Sequence, residues 1–132
     1  MENVSAYQIS SSVNDGILEV VITGNAMGSG FKKMMYELDD ILKANFAKEV
    51  IFDIRYFREH IDSGTMYNYF RERDFFMKGV KTAVVDFQEK TSFAIALRNA
   101  GVFVERFADI DLARKWIKRN PIKETLIKEP VN

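Results

Sequence analysis

The chain has no cysteine, a single histidine (His60), two prolines and one tryptophan in 132 residues, and nineteen Lys and Arg are balanced by nineteen Asp and Glu. Each scarcity removes a class of function. Without cysteine there is no thiolate nucleophile, no redox pair, no zinc finger and no disulfide framework of a small secreted scaffold. One histidine has no second ligand at a metal-binding interval, and no Ser-His-Asp arrangement can be assembled around it. A formal net charge of zero argues against nucleic acid as a partner, because neutralising phosphates requires an excess of cations. The opening Met1-Glu2-Asn3-Val4-Ser5 has neither the basic region nor the apolar run of a signal peptide, and no stretch reaches the ~20 apolar residues of a membrane span. A cytoplasmic protein with no membrane span, no cofactor and no metal is the expectation. What remains is a globular composition, 47% hydrophobic and 29% charged, in a chain long enough to bury roughly two-thirds of its unfolded surface as one domain.

Periodicity divides the chain into a regular series. Tyr7 to Ser12 and Ile17 to Thr23 are β-prone runs flanking Asn14-Asp15-Gly16, whose Asp-Gly pair favours a tight antiparallel hairpin. Phe31, Met34, Met35, Leu38, Ile41, Leu42 and Phe46 recur at helical spacing, with Lys32, Lys33, Asp39, Asp40 and Lys43 on the solvated face. Val50 to Ile54 reads as a central strand covered on both faces. Met66 to Met77 reads as a second helix introduced by Ser63 and Gly64. Val80 to Phe87, Thr91 to Ala100 and Val102 to Phe107 continue as strand, helix and strand. A last helix through Trp116 and Ile117, capped by Asp109 or Asp111, ends at Pro121. The fold class expected is α/β, a single domain over 1–120 with a C-terminal tail over 121–132. An N-terminal β-hairpin is followed by alternating helices and strands, giving a mixed, mostly parallel five-stranded sheet with helices packed on it.

Several local patterns carry chemistry. Thr23-Gly24-Asn25-Ala26-Met27-Gly28-Ser29-Gly30 follows a strand and opens a helix, as the T-G-x-x-x-G-x-G of short-chain dehydrogenases does, and such glycines let a pyrophosphate approach a helix N-terminus. Against it, the strand before it is the second arm of a hairpin and no Tyr-x-x-x-Lys follows. A nucleotide-binding enzyme through the Gly24–Gly30 loop is therefore the third reading. Asp53 and Asp86, late in their strands, read as turn or capping groups. The basic run Arg114, Lys115, Lys118, Arg119, Lys123 reads as a solvated helix face and C-terminal turn. Tyr67, Tyr69, Phe70, Phe75 and Phe76 spread over more than one face of the second helix, with Arg71 and Arg73 between them. That mixture of aromatic and Arg is enriched at protein interfaces and leaves a homodimer open. Met34, Met35 and Phe70 could instead line a pocket between sheet and helices for a small apolar ligand or lipid.

The segment Phe52-Asp53-Ile54-Arg55-Tyr56-Phe57-Arg58-Glu59-His60-Ile61-Asp62-Ser63-Gly64 resembles the strand-to-helix segment of STAS domains, the family of bacterial anti-sigma-factor antagonists, which reads as an apolar strand, a loop and Asp-Ser-Ser-Gly. The element order over about residues 5 to 118 agrees with that family. The closing Phe107-Ala108-Asp109-Ile110-Asp111-Leu112-Ala113-Arg114-Lys115-Trp116-Ile117 looks like the ending of its divergent SpoIIAA-like branch. The resemblance implies a non-enzymatic regulatory module with no catalytic residues, whose protein partner is an anti-sigma factor or a kinase. It aligns Asp62, Ser63 and Gly64 with the family's motif, Ser63 falling on the phosphorylated serine, while Thr65-Met66 stands where the family has Leu-Gly. With the exposed aromatic and Arg side of the second helix, the expected partner-binding residues are Asp62, Gly64, Thr65, Tyr67 and Arg71. Ser63 is expected at the N-cap of the second helix, where a phosphate would meet the positive end of the dipole. The branch also shares its fold with CRAL-TRIO lipid carriers, which matches the alternative reading of an apolar-ligand carrier or sensor.

Overall fold

The computed structural model describes residues 6–59, 62–72 and 79–119. The expectations for His60, for Arg73, Phe75, Phe76 and Met77, and for the tail from 121 lie outside these residues. The elements are β1 (Ala6–Asn14), β2 (Ile17–Ala26), α1 (Ser29–Asn45), β3 (Glu49–Glu59), α2 (Ser63–Glu72), β4 (Lys81–Val85), α3 (Ser92–Asn99), β5 (Phe103–Phe107) and α4 (Ile110–Lys118). One five-stranded sheet runs in the order β1-β2-β3-β4-β5. Its first pair is antiparallel and the others are parallel. The hairpin turn is as its Asp-Gly pair predicts, with φ of 55° at Asp15 and 78° at Gly16, the two positive angles of a tight primed turn.

Strand alternation sorts the apolar residues onto two faces. Leu18, Val20, Ile22, Val50, Phe52, Ile54, Val84 and Val104 meet α1, α2 and α3 in the larger core. Ile17, Ile51, Ala83 and Val85 meet Ala113 and Ile117 of α4 in the smaller one. β3 is therefore central, and its two faces serve different helices. α4 packs against β3, β4 and β5. Beyond it, Gln8, Ser10, Ser12 and Asn14 of β1 are exposed, so polar residues replace a helix as the cover of this face.

Three expectations are corrected. β3 continues five residues beyond Ile54. Val21 pairs with Asp53 but Thr23 with Tyr56, so β3 carries one extra residue, a bulge that turns Arg55 and Tyr56 away from the larger core. Asp39 of α1 is 1% exposed and not on the solvated face; Lys43 one turn on reaches its Oδ2 at 3.0 Å. The glycine-rich segment is not a phosphate loop at its start. Gly24 lies inside β2 opposite Tyr7, at φ +95°, and a Cβ there would collide with the Ala6 carbonyl oxygen. Its freedom admits the close approach of β1. Further on, Gly28 at φ +56° caps α1.

The edge strand β1 is also tied to α1 by the Tyr7 hydroxyl, which donates to Glu37 Oε1 at 3.0 Å. Burial, together with this bond and the Glu37 charge, pushes the phenol up to about 12. The neutral phenol is the form the fold favours. Its contribution is complete below the ordinary value of 10.0 and is lost as pH rises through about 12. Spectrophotometric titration should show one late phenolate that is absent in Tyr7→Phe. Gly24→Ala should cost at least about 2 kcal/mol in chemical denaturation, from the strained φ and the collision combined.

Candidate functional site

The parallel strands end, at their C-terminal edge, in the region where open α/β sheets place their sites. Here β3 leads into α2, and the first turn of α2 is organised by Asp62. The Asp62 carbonyl accepts the first helical bond from Met66 N at 3.1 Å, and its carboxylate accepts from Thr65 N at 2.8 Å. Asp62 is therefore the N-cap. Ser63, expected to be the cap, is instead the first helical residue. Among the described residues its hydroxyl has no hydrogen-bond partner, and the residue is partly exposed. Backbone and side-chain bonds from Thr65, and the Gly64 N–H, hold the Asp62 carboxyl below its ordinary value. It is a fixed negative charge beside Ser63.

α2 is held down by Met66 and Phe70, which are buried. Phe70 meets Phe93 edge-on at 6.0 Å, and Tyr69 meets Phe31 of α1 at 5.7 Å. The opposite side of the helix exposes Gly64, Thr65, Asn68 and Arg71. The Arg71 guanidinium lies 5.6 Å from the centre of the half-buried Tyr67 ring. The structure thus brings Asp62, Ser63, Gly64, Thr65, Tyr67 and Arg71 onto one helix end and one outward strip. Met34, Met35 and Phe70 also come together, but as buried side chains of the larger core.

A second feature at this end was not singled out from the sequence. Tyr56 and Phe87, at the ends of β3 and β4, are 66% and 57% exposed and meet edge-on at 5.7 Å. Arg55 lies 5.9 Å from the centre of the Tyr56 ring and forks onto Asp53 through bonds of 2.9 and 2.7 Å. Burial pushes the Asp53 carboxyl up. The bonds from Arg55 and the charges of Arg55 and Arg114 outweigh it and hold it below the ordinary range. Asp53 is thus a strand residue in an ion pair; its expected role as a turn or capping group is corrected. The readable signal was Asp-x-Arg at the two-residue spacing that puts both on one face of a strand. Asp86 does make the expected turn, accepting from Gln88 N at 3.3 Å.

The basic run of α4 is not simply solvated. Arg114 forks onto Glu19 of β2 with two bonds of 2.9 Å, and Lys118 lies 3.6 Å from Asp15. These pairs join α4 to the hairpin and use the charge locally. The described residues hold no group of three or more His, Cys, Asp or Glu that could bind a metal. They include no helix long and apolar enough to cross a membrane.

Asp62→Ala should lower thermal stability and fray the start of α2, read as faster amide exchange at Ser63, Gly64 and Thr65. Because the folded carboxyl lies below its ordinary 3.8, its contribution is complete above that value. The gap between variant and parent should shrink as pH falls below 3.8.

No family model matches the chain, and no curated protein sequence does. Solved structures do. A protein of the DUF3478 family with a SpoIIAA-like fold, from Shewanella loihica PV-4, is 16% identical, with 89% of this chain and 98% of that one covered and a TM-score of 0.56. An anti-sigma factor antagonist from Mycobacterium paratuberculosis is 12% identical, covering 86% and 96% of the two chains, with a TM-score of 0.58. The anti-sigma factor antagonist SpoIIAA in its unphosphorylated form is 11% identical, covering 87% and 100%, with a TM-score of 0.55. With its hairpin, sequential parallel strands and four helices, the chain has the SpoIIAA-like fold that its strand-to-helix segment implied.

Proposed function

We propose that the chain is a non-enzymatic regulatory module that binds a protein partner through the first turn and outward strip of α2, and that phosphorylation at Ser63 switches this binding. The observation that carries the reading is the arrangement at Ser63. An uncommitted, partly exposed hydroxyl stands at the first helical position, beside an outward strip of Thr65, Tyr67 and Arg71. Two of the structural neighbours are anti-sigma factor antagonists, which supports a partner of the anti-sigma factor or kinase class.

The physics of the switch follows from Asp62. A phosphoryl group on Ser63 would add about −1.5 to −2 charges at a helix N-terminus, which favours an anion. It would also stand next to a carboxylate already using the Thr65 N–H. The phosphate and Asp62 would compete for the same donors, so modification would rearrange the first turn as well as charge it. No catalysis is needed for such a change to reach the partner. Tyr56 and Phe87 lie at the same end of the sheet and offer aromatic area of the kind that anchors interfaces.

Affinity capture with the tagged chain tests this. Ser63→Ala should retain the partner, and Ser63→Asp should reduce its recovery at least tenfold, with circular dichroism unchanged in both. If both variants recover every partner as the parent does, the switch is wrong.

A further inference from the structure

β1 is an outer strand of the sheet, and it lacks the features by which edge strands ordinarily avoid a partner: a charge, a proline, a bulge or a short length. Its nine residues, Ala6-Tyr7-Gln8-Ile9-Ser10-Ser11-Ser12-Val13-Asn14, include no charged side chain and no proline. They pair with β2 in unbroken register from Ala6 opposite Asn25 to Asn14 opposite Ile17, and Ser10 to Asn14 are all exposed. The other margin, β5, is different. It has five residues with Glu105 and Arg106 among them, and its Val104 carbonyl already accepts from Arg98 of α3 at 3.4 Å.

The hairpin fixes which backbone groups of β1 face outward. Around a two-residue turn of this kind the flanking residues, here Asn14 and Ile17, form a hydrogen-bonded pair, and such pairs recur at every second residue. Gln8, Ser10, Ser12 and Asn14 therefore turn their N–H and C=O toward β2, and Tyr7, Ile9, Ser11 and Val13 turn theirs away from the sheet. A second copy of the strand, antiparallel and related by a twofold axis at Ser10, meets this set with the same set. Tyr7 of one copy falls opposite Val13 of the other and Ile9 opposite Ser11, so each outward donor finds an outward acceptor. On the opposite face Ser10 meets Ser10, Gln8 meets Ser12 and Ala6 meets Asn14. No charge is brought against its own copy. An aromatic ring opposite a β-branched residue is a favourable cross-strand pair, and it covers Val13, which is 55% exposed in the single chain. The Tyr7 side chain is already held in place by Glu37. Moving the axis by one residue would leave either Ala6 and Tyr7 or Val13 and Asn14 unpaired, so the whole strand is used only with the axis at Ser10.

We infer that β1 is the interface of a homodimer in which two sheets join edge to edge about a twofold axis at Ser10. It is a different surface from the aromatic side of α2, which takes no part in the pairing.

The absence of native cysteine permits a direct test in the full chain. Ser10→Cys places two thiols at the axis, in a non-hydrogen-bonded pair whose Cα atoms lie about 4.5 Å apart, within the span of a disulfide. Ser12→Cys lies on the same exposed face but about 13 Å from its own copy. Under mild oxidation Ser10→Cys should give a disulfide-linked dimer at least tenfold faster than Ser12→Cys. Mixing Gln8→Cys with Ser12→Cys should restore fast linkage between the two variants. Equal rates at Ser10 and Ser12, or a faster rate at Ser12, would overturn the inference. In sedimentation the parent should be a dimer, and Ser11→Pro, which removes only an outward N–H, should be a monomer with unchanged circular dichroism. A parent that is monomeric at every concentration, or a dimer that survives Ser11→Pro, would also overturn it.

Discussion

Three rings hold α2 where it is. Phe52, on the central strand and fully buried, meets Phe93 of α3 edge-on at 5.2 Å, and Phe93 in turn meets Phe70 of α2 at 6.0 Å. Edge-to-face pairs of this kind are each worth about 0.5–1.5 kcal/mol beyond their buried area. Their geometric effect matters more. The chain of contacts runs from the middle of the sheet through α3 to the second turn of α2, so the outward strip of that helix is presented by a packed core. Ser63 and Arg71 thus stand on a helix whose buried side is fixed by that packing.

The same central strand divides the labour between the two faces. Toward α1, α2 and α3 its alternate residues Val50, Phe52 and Ile54 are apolar. Toward α4 they are Ile51 and Asp53, and then the bulge delivers Arg55 and Tyr56. α4 covers the apolar part of that second face, and ion pairs take over where it stops: Asp53 with Arg55, and Glu19 with Arg114. Both pairs keep one side in contact with solvent, and such pairs contribute little individually. The Arg114–Glu19 pair does tie α4 to β2, and the aromatic pair Tyr56–Phe87 is left exposed at the C-terminal edge of the sheet.

Much of this was legible from the residues alone. The helical stripe of Phe31, Met34, Leu38 and Leu42, the Asp-Gly turn and the alternation of short apolar runs specified the element order and the α/β class. Errors arose where two physical readings share one pattern. Val50 to Ile54 marked only the part of β3 that is buried on both faces, because Arg55, Tyr56 and Arg58 pair with β2 outside the reach of α4 and so look like loop residues. Asp62 and Ser63 are both good N-caps; which one takes the position depends on whose carbonyl starts the helix, a matter of backbone geometry. Gly24 suits a phosphate or a close strand equally, and only the position of β1 decides. Asp39 sits at a polar position in the helical pattern yet is buried, because Lys43 one turn away can accompany it.

The central claim is that recognition is concentrated at the end of the sheet where β3 enters α2. Hydrogen–deuterium exchange of the chain, alone and bound to a partner recovered by affinity capture, tests it directly. The account predicts that added protection falls on residues 62–72, with the exposed ends of β3 and β4 around Tyr56 and Phe87 next. Protection confined to β1, or to the opposite end around Val13 and Phe46, would contradict it.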